Sequence, residues 1–307
     1  MIFISLPFVL FGVAVLLSGA SQLFLELPAL ISRGLVLSLA GVGAVFVFSV
    51  GAFGISLGAS ALTCVILGAH VWSATESLVL TLSACVLLAV AICVLCSLLT
   101  TFCKLPPYVT ATLMLSLLFA VAQAMLSGGE VSVGLRGGLF DSLISRTAVL
   151  LLYFFLCAFL YYATPMGKRQ RLLGDDPSRA HLSGVSRVVS SALAFSVAGI
   201  GVGLCGFMIL SIYDAVGMSA VSDLGFNIIF AVLLGGMPLS GGKRTRLFAG
   251  VFGSFSVVFA DYLFKLLVPG VTNSAGLSQV IRTLAVLALI ILLRPKGSDG
   301  KKGEGML

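Results

Sequence analysis

The sequence predicts an all-α integral membrane protein: a polytopic bundle of about ten transmembrane helices, some short or broken, with both termini inside. Hydrophobic residues make up 59% of the 307 residues and charged residues only 9%, whereas soluble domains carry about a quarter charged residues. The longest polar stretch, 164–187, is too short for a soluble domain. We therefore expect one transmembrane domain, 1–294, with a cytoplasmic loop at 164–187 and a cytoplasmic tail at 295–307.

A transmembrane helix needs about 20 predominantly apolar residues, and the sequence offers a series of such runs. The candidate spans are 5–25, 34–50, 56–71, 77–102, 108–126, 146–163, 187–212, 224–239, 245–267 and 278–293. Gly54 with Gly58, and Gly199 with Gly203, are spaced four apart, which predicts helix faces that pack closely in lipid. The second, third and eighth spans are short, and glycines crowd the junction of the second and third. This leaves open whether both of those segments cross fully or are re-entrant.

Basic residues predict the orientation, because cytoplasmic loops of membrane proteins are enriched in lysine and arginine. An even number of predicted spans separates the three basic clusters, so all of them fall on the cytoplasmic side. The clusters are Lys168, Arg169, Arg171, Arg179 and Arg187, then Lys243, Arg244 and Arg246, and finally Arg294, Lys296, Lys301 and Lys302. Counting back along the spans places the amino terminus inside as well.

Charge and cysteine content argue against two other classes of protein. The net charge of +7 does not indicate nucleic-acid binding, because the basic residues lie in short loops rather than on one soluble face. Cys93 and Cys96 form a C-x-x-C pattern within an apolar run, without the accompanying histidines or second cysteine pair of a metal site. We interpret the cysteines as small packing residues and expect no metal site.

The polar loop contains a short predicted helix at 177–183. Asp176 suits the N-cap position, Pro177 the first helical position, and Gly184 the stop after the last turn. A short capped helix on a loop at the membrane surface is suited to docking a partner. Capping alone does not distinguish this from a capped loop that binds nothing.

A glycine-rich segment before Lys243 has the composition of a phosphate-binding loop but not its pattern. The pattern G-x-x-x-x-G-K-[ST] requires glycine where Met237 stands, and serine or threonine where Arg244 follows the lysine. If transport is driven by ATP, the ATPase must therefore be another polypeptide.

Three stretches together resemble the permeases of ribose-type importers of the ATP-binding cassette (ABC) class. The strongest is T-P-M-G-K-R…L-G-D-D-P-S-R-A-H-L-S-G-V at 164–185, which resembles the coupling-helix loop of that family. The others are A-V-L-L-G-G-M-P-L-S-G-G-K at 231–243 and P-Y-V-T-A-T-L-M-L-S-L-L at 107–118. The family also includes permeases for other monosaccharides, nucleosides and autoinducer-2 and, more distantly, branched-chain amino acids.

The resemblance implies an assembly in the bacterial cytoplasmic (inner) membrane. Its parts are a second copy of the permease or a paralogous one, cytoplasmic ATPase subunits that bind ATP and Mg²⁺, and an extracytoplasmic protein that delivers a small sugar-like or nucleoside-like solute. No cofactor is expected on this chain, and lipid surrounds it. The residues expected to contact the ATPase are Gly174, Asp175, Asp176, Pro177, Ser178, Arg179, Ala180, His181, Leu182, Ser183 and Gly184.

The sequence departs from the family at two acidic motifs. Where members often read G-I-D-L-S-V-G-S, this chain reads A-F-G-I-S-L-G-A at 52–59, so Gly54 replaces the carboxylate and Ser56 remains. Where members often read Y-E-L-D-A-I, this chain reads L-G-F-N-I-I. Ser56, Phe226 and Asn227 are the candidate residues of the translocation pathway. The loss of these acids argues against a typical sugar substrate. It is also compatible with one half of a heterodimeric permease whose partner keeps them.

Two other functions fit the sequence less well than an importer permease. A secondary transporter driven by an ion gradient commonly shows inverted repeats and ionisable residues at mid-membrane depth, and no clear inverted repeat is visible. An intramembrane enzyme needs a nucleophile and base or a set of metal ligands, which the sequence does not show. Asp261 and Lys265, four residues apart on one predicted helix, are interpreted as a structural ion pair.

Overall fold

The computed structural model describes residues 2–18, 20–52, 54–103, 105–126, 129, 131–132, 142–213, 215–217, 224–237, 241–242 and 245–267. Its helices are α1 (Ile2–Ser18), α2 (Ala20–Ser49), α3 (Ser56–Thr75), α4 (Leu78–Phe102), α5 (Pro107–Leu126), α6 (Leu143–Ala158), α7 (Pro165–Asp175), α8 (Pro177–Leu182), α9 (Arg187–Leu210), α10 (Leu224–Leu234) and α11 (Phe248–Leu267). Two-residue strands β1 (Val131–Ser132) and β2 (Ala215–Val216) pair antiparallel, with Val131 opposite Val216.

The predicted all-α membrane fold is confirmed. Within the described ranges, seven helices are long and apolar enough to cross a bilayer: α2 (as Phe24–Ser49), α3, α4, α5, α6 with its extension to Ala163, α9 and α11. α1 and α10 are shorter apolar helices outside these seven. The predicted first span, 5–25, covers α1 and the start of α2, and α10 ends at Leu234, before the end of the predicted eighth span, 224–239. The predicted tenth span, 278–293, the tail 295–307, and the basic residues Lys243 and Arg244 lie outside the described residues.

The predicted second and third spans were too short. α2 begins at Ala20 rather than at residue 34, and α3 continues to Thr75. Glu26, Pro28 and Arg33 interrupt the apolar run in the sequence, but α2 continues through all three, with Pro28 inside the helix. Glu26 and Arg33 both face a cavity, where polar side chains are tolerated. Both helices are therefore long enough to span the membrane.

Glycines allow the closest approaches between helices. α4 and α9 make the most extensive contact in the described bundle. A Cβ on Gly199 would lie 2.7 Å from the Cα of Val90, and one on Gly203 would lie 2.6 Å from the Cα of Val86. The predicted close-packing face at 199 and 203 is confirmed, in agreement with small-residue packing in membranes. The predicted pairing of Gly54 with Gly58 on one helix is wrong, because α3 begins after Gly54.

The polar loop contains two helices where the sequence predicted one. α6 is extended by a π-helical turn, Phe159–Ala163, and α7 follows directly, with Thr164 as its N-cap and Pro165 at its first position. α8 then runs one residue shorter than predicted, because Ser183 is its C-cap. The loop is therefore a folded unit that extends from α6 to α9.

Candidate functional site

Both ends of α8 are fixed by local hydrogen bonds. The Asp176 carboxylate accepts backbone N–H groups from Ser178 at 3.0 Å and Arg179 at 3.2 Å. At the other end, Gly184 adopts φ +72°, Val185 donates its N–H to the Ala180 carbonyl at 3.0 Å, and Gly184 donates to that of His181 at 3.0 Å. These two bonds form a Schellman motif. Even though α8 has only six residues, it is held as a defined turn.

The two faces of α8 have different environments. Ala180 is fully buried, whereas the Leu182 side chain is 87% exposed. The Arg179 side chain is also exposed and pairs with Asp176 within the helix, its Nε lying 3.0 Å from Oδ2. One apolar side chain is therefore presented to the outside by a helix whose other face is anchored. Burial of such an exposed apolar side chain against another protein is favourable.

Main-chain contacts connect the α7–α8 junction to the membrane helices. A Cβ on Gly174 would overlap the carbonyl oxygen of Ser49, the last residue of α2. The same carbonyl accepts the N–H of Gly242 at 3.3 Å. Gly242 has φ +91°, and a Cβ there would lie 3.1 Å from the Cα of Asp175. The end of α2, the end of α7 and the loop before α11 therefore meet at glycines.

A second connection uses side chains that the sequence did not single out. The Arg171 guanidinium lies 5.0 Å from the ring centroid of Tyr161 and 6.0 Å from that of Tyr162, within the range of cation–π attraction. The Tyr161 hydroxyl hydrogen-bonds Thr245, whose hydroxyl donates to the Gly242 carbonyl at 2.8 Å. Arg171 is thus packed against the π-turn. The sequence shows Arg171 only as one of several basic residues in the loop, and nothing in its pattern indicates that it packs on a tyrosine.

A cavity of about 620 Å³ lies between α2, α9, α10 and α11. Its lining combines charged groups with apolar ones, and the polar members are Glu26, Arg33, Tyr213, Asn227, Asp261, Tyr262 and Lys265. Lys265 and Asp261 form the predicted ion pair, with Nζ 3.5 Å from Oδ2. This volume is in the range typical of sites for small molecules.

The three candidate pathway residues do not converge. Asn227 lines the cavity, whereas Phe226 and Ser56 are not among its lining residues. Phe226 is 46% exposed. Ser56 is buried with its hydroxyl 3.6 Å from the Sγ of Cys96. Arg33 and Glu26, which the sequence placed outside the apolar spans, are the cavity residues that the prediction missed.

Comparison with known proteins gives curated relatives of low identity. A probable ABC transporter permease protein, YphD of Escherichia coli (strain K12), is 25% identical over 169 residues, which cover 54% of this chain and 49% of that protein. The ribose import permease protein RbsC of Bacillus subtilis (strain 168) is 28% identical over 149 residues, 48% of this chain and 45% of that protein.

The aligned part of the chain thus spans about half the length of these two curated relatives. No solved structure matches the chain at a significant level. Residues 27–293 match the model of a protein family, and this match covers most of the chain. The chain belongs to the family described as the permease component of the branched-chain amino acid transport system.

Proposed function

We propose that this protein is the membrane-spanning permease subunit of an ABC importer in the bacterial inner membrane. It translocates a small polar solute, sugar-like or nucleoside-like, that an extracytoplasmic binding protein delivers. A separate cytoplasmic ATPase binds ATP and Mg²⁺ and supplies the energy, and a second copy or a paralogous permease completes the membrane part. Family membership and the names of the two relatives support this proposal.

The observation that carries the proposal is the structure around α8. ATP binding can move the membrane domain only through a contact that differs between two conformational states. α8 presents Leu182 outward, and a glycine contact joins the adjoining α7 to the end of α2. Displacement of α8 by the ATPase would thus reach a transmembrane helix without passing through a flexible linker.

The test replaces Leu182 with aspartate in the complete transporter. A carboxylate buried in an apolar ATPase groove without a partner costs several kcal/mol, so we expect ATP-driven uptake to fail and the ATPase to be lost in a membrane pull-down. Leu105→Asp is the matched control, since Leu105 is also partly exposed, at 37%, in the α4–α5 connection. The permease should insert normally in both variants.

Two outcomes would count against the proposal. Unchanged uptake and ATPase retention in Leu182→Asp would remove α8 as the coupling element. Uptake that persists without the ATPase and collapses with the membrane ion gradient would instead indicate a secondary transporter. In addition, the purified chain should hydrolyse no ATP above background.

A further inference from the structure

The cavity between α2, α9, α10 and α11 has two ends that differ in charge. α2 and α11 run antiparallel, because Gly34 packs on Phe255 and Gly41 on Gly250. Continuing this register places Glu26 near the level of Lys265 and Arg33 near that of Val257. α10 and α11 are also antiparallel, because Gly235 packs against Ala249 and Ala231 against Gly253. Their register brings Asn227 to the level of Val257 as well.

The deeper part of the cavity, which we call its inner end, is lined by Arg33, Val36, Leu37, Asn227 and Val257, and its charged group is Arg33, an exposed residue. It forms no hydrogen bond or salt bridge with any residue in the described portion of the chain. Asp261, about one helical turn toward the mouth, is already paired with Lys265. Glu26 precedes Arg33 by seven residues, roughly 10 Å along the helix axis, which exceeds the Debye length of about 8 Å at physiological salt.

The residue before Arg33 fixes the rotation of α2 at this level of the cavity. Arg146, which is buried, donates a hydrogen bond to the hydroxyl of Ser32. Its other terminal nitrogen lies 3.4 Å from the carbonyl oxygen of Ser211, just after α9. These bonds join α2, α6 and the end of α9 beside the cavity. Rotation of α2 that removed Arg33 from the cavity would break them.

We propose that the inner end of this cavity binds an anionic group, a carboxylate or phosphate, on a small hydroxylated solute. This inference rests on the proposed import function and narrows its substrate class. The guanidinium presents a planar fork of N–H donors that matches both anions, and the Asn227 amide adds donors beside it. The hydroxyl groups of the solute face Tyr213 and the mouth of the cavity, the end lined by Glu26, Asp261 and Lys265. These side chains supply both hydrogen-bond donors and acceptors.

The test measures the charge preference of the cavity directly. Val258, another lining residue, becomes the only cysteine in a variant whose seven native cysteines are replaced. The probes are two thiol reagents of similar size, the anionic sulfonatoethyl and the cationic trimethylammonium-ethyl methanethiosulfonate. We expect the anionic reagent to be favoured. In Arg33→Gln, the ratio of anionic to cationic rates should fall about fivefold or more.

Controls and outcomes separate this inference from the proposed function. Arg33→Lys keeps the charge and should keep most of the rate ratio. An unchanged ratio in Arg33→Gln, or a cysteine at 258 that neither reagent reaches, overturns the anion site. ATP-driven uptake is measured in parallel with the unmodified chain. If the unmodified chain shows ATP-driven uptake but Arg33→Gln leaves the ratio of labelling rates unchanged, only the anion site is contradicted. If the cavity prefers the anionic reagent but the chain shows no ATP-driven uptake, the importer assignment and the role of the cavity in substrate binding are contradicted.

Discussion

The backbone N–H of Gly242 donates a hydrogen bond to the carbonyl oxygen of Ser49, at 3.3 Å. The two residues are far apart in sequence, and their contact joins the loop before α11 to the last turn of α2. Gly174 packs against the same carbonyl. The loop at 164–187 and two membrane helices therefore share one junction, which becomes the most informative place to perturb the proposed coupling.

Gly174→Ala should disrupt this junction. The new methyl group would overlap the Ser49 carbonyl, and overpacking of this kind typically costs about 1–3 kcal/mol. We expect a lower melting temperature and reduced ATP-driven uptake, with normal membrane insertion. Lys168→Ala, at an exposed position on the same helix, should leave both unchanged. If Gly174→Ala behaves like this control, α7 does not depend on its contact with α2.

Asp176→Ala should loosen α8 by removing its N-cap side chain. Loss of an N-cap side chain costs about 1 kcal/mol, and here two backbone N–H groups lose their acceptor. Amide exchange at Ser178 and Arg179 should accelerate, and the ATPase should bind more weakly. Asp176→Asn, which retains an acceptor, serves as the control. Equal exchange rates in both variants would show that the cap does not stabilise α8.

Gly203→Leu should weaken the packing of α9 on α4. A Cβ at 203 already meets the Cα of Val86 at 2.6 Å, so a larger side chain must separate the helices. We expect a loss of about 1–3 kcal/mol in stability, measured by thermal unfolding in detergent. Gly12→Leu is the control, since a Cβ at Gly12 has no neighbour within 4 Å. Equal melting temperatures for the two variants would contradict the close packing.

The orientation of the chain remains a prediction and can be tested by cysteine labelling. In a background without native cysteines, Ser178→Cys should react with an impermeant reagent only after the cells are permeabilised. Ser73→Cys, at an exposed position near the far end of α3, should react in intact cells. Labelling of position 178 from outside would reverse the topology and place α8 beyond the reach of a cytoplasmic ATPase.

Local signals were sufficient to predict α8 from the sequence. Asp176, Pro177 and Gly184 act within a few residues of themselves, so their pattern gave the helix to within one residue. α7 was missed because its sequence is polar and its buried residues, such as Gln170 and Leu173, do not form a long apolar run. The start of α2 was misplaced because a cavity, which no local pattern reveals, accommodates Glu26 and Arg33.

Contacts between distant segments could not be predicted in the same way. The sequence suggested that the loop at 164–187 and the glycine-rich segment before Lys243 both matter, but not that they meet at Ser49. Asn227 was named as a pathway candidate, and it lines the cavity. Its alignment with Arg33 follows from the registers of three helices, and these registers depend on glycine contacts that only the folded bundle displays.

The junction at Ser49 is built from main-chain atoms, so it depends on the glycines that allow the close contacts rather than on the neighbouring side chains. Chains that keep glycine at 174 and 242 can vary the neighbouring side chains and still hold α8 at the same distance from α2. A mutational scan that passed over glycines would report the junction as insensitive. Related permeases could thus adapt α8 to different ATPases while retaining one unchanged mechanical connection to the membrane.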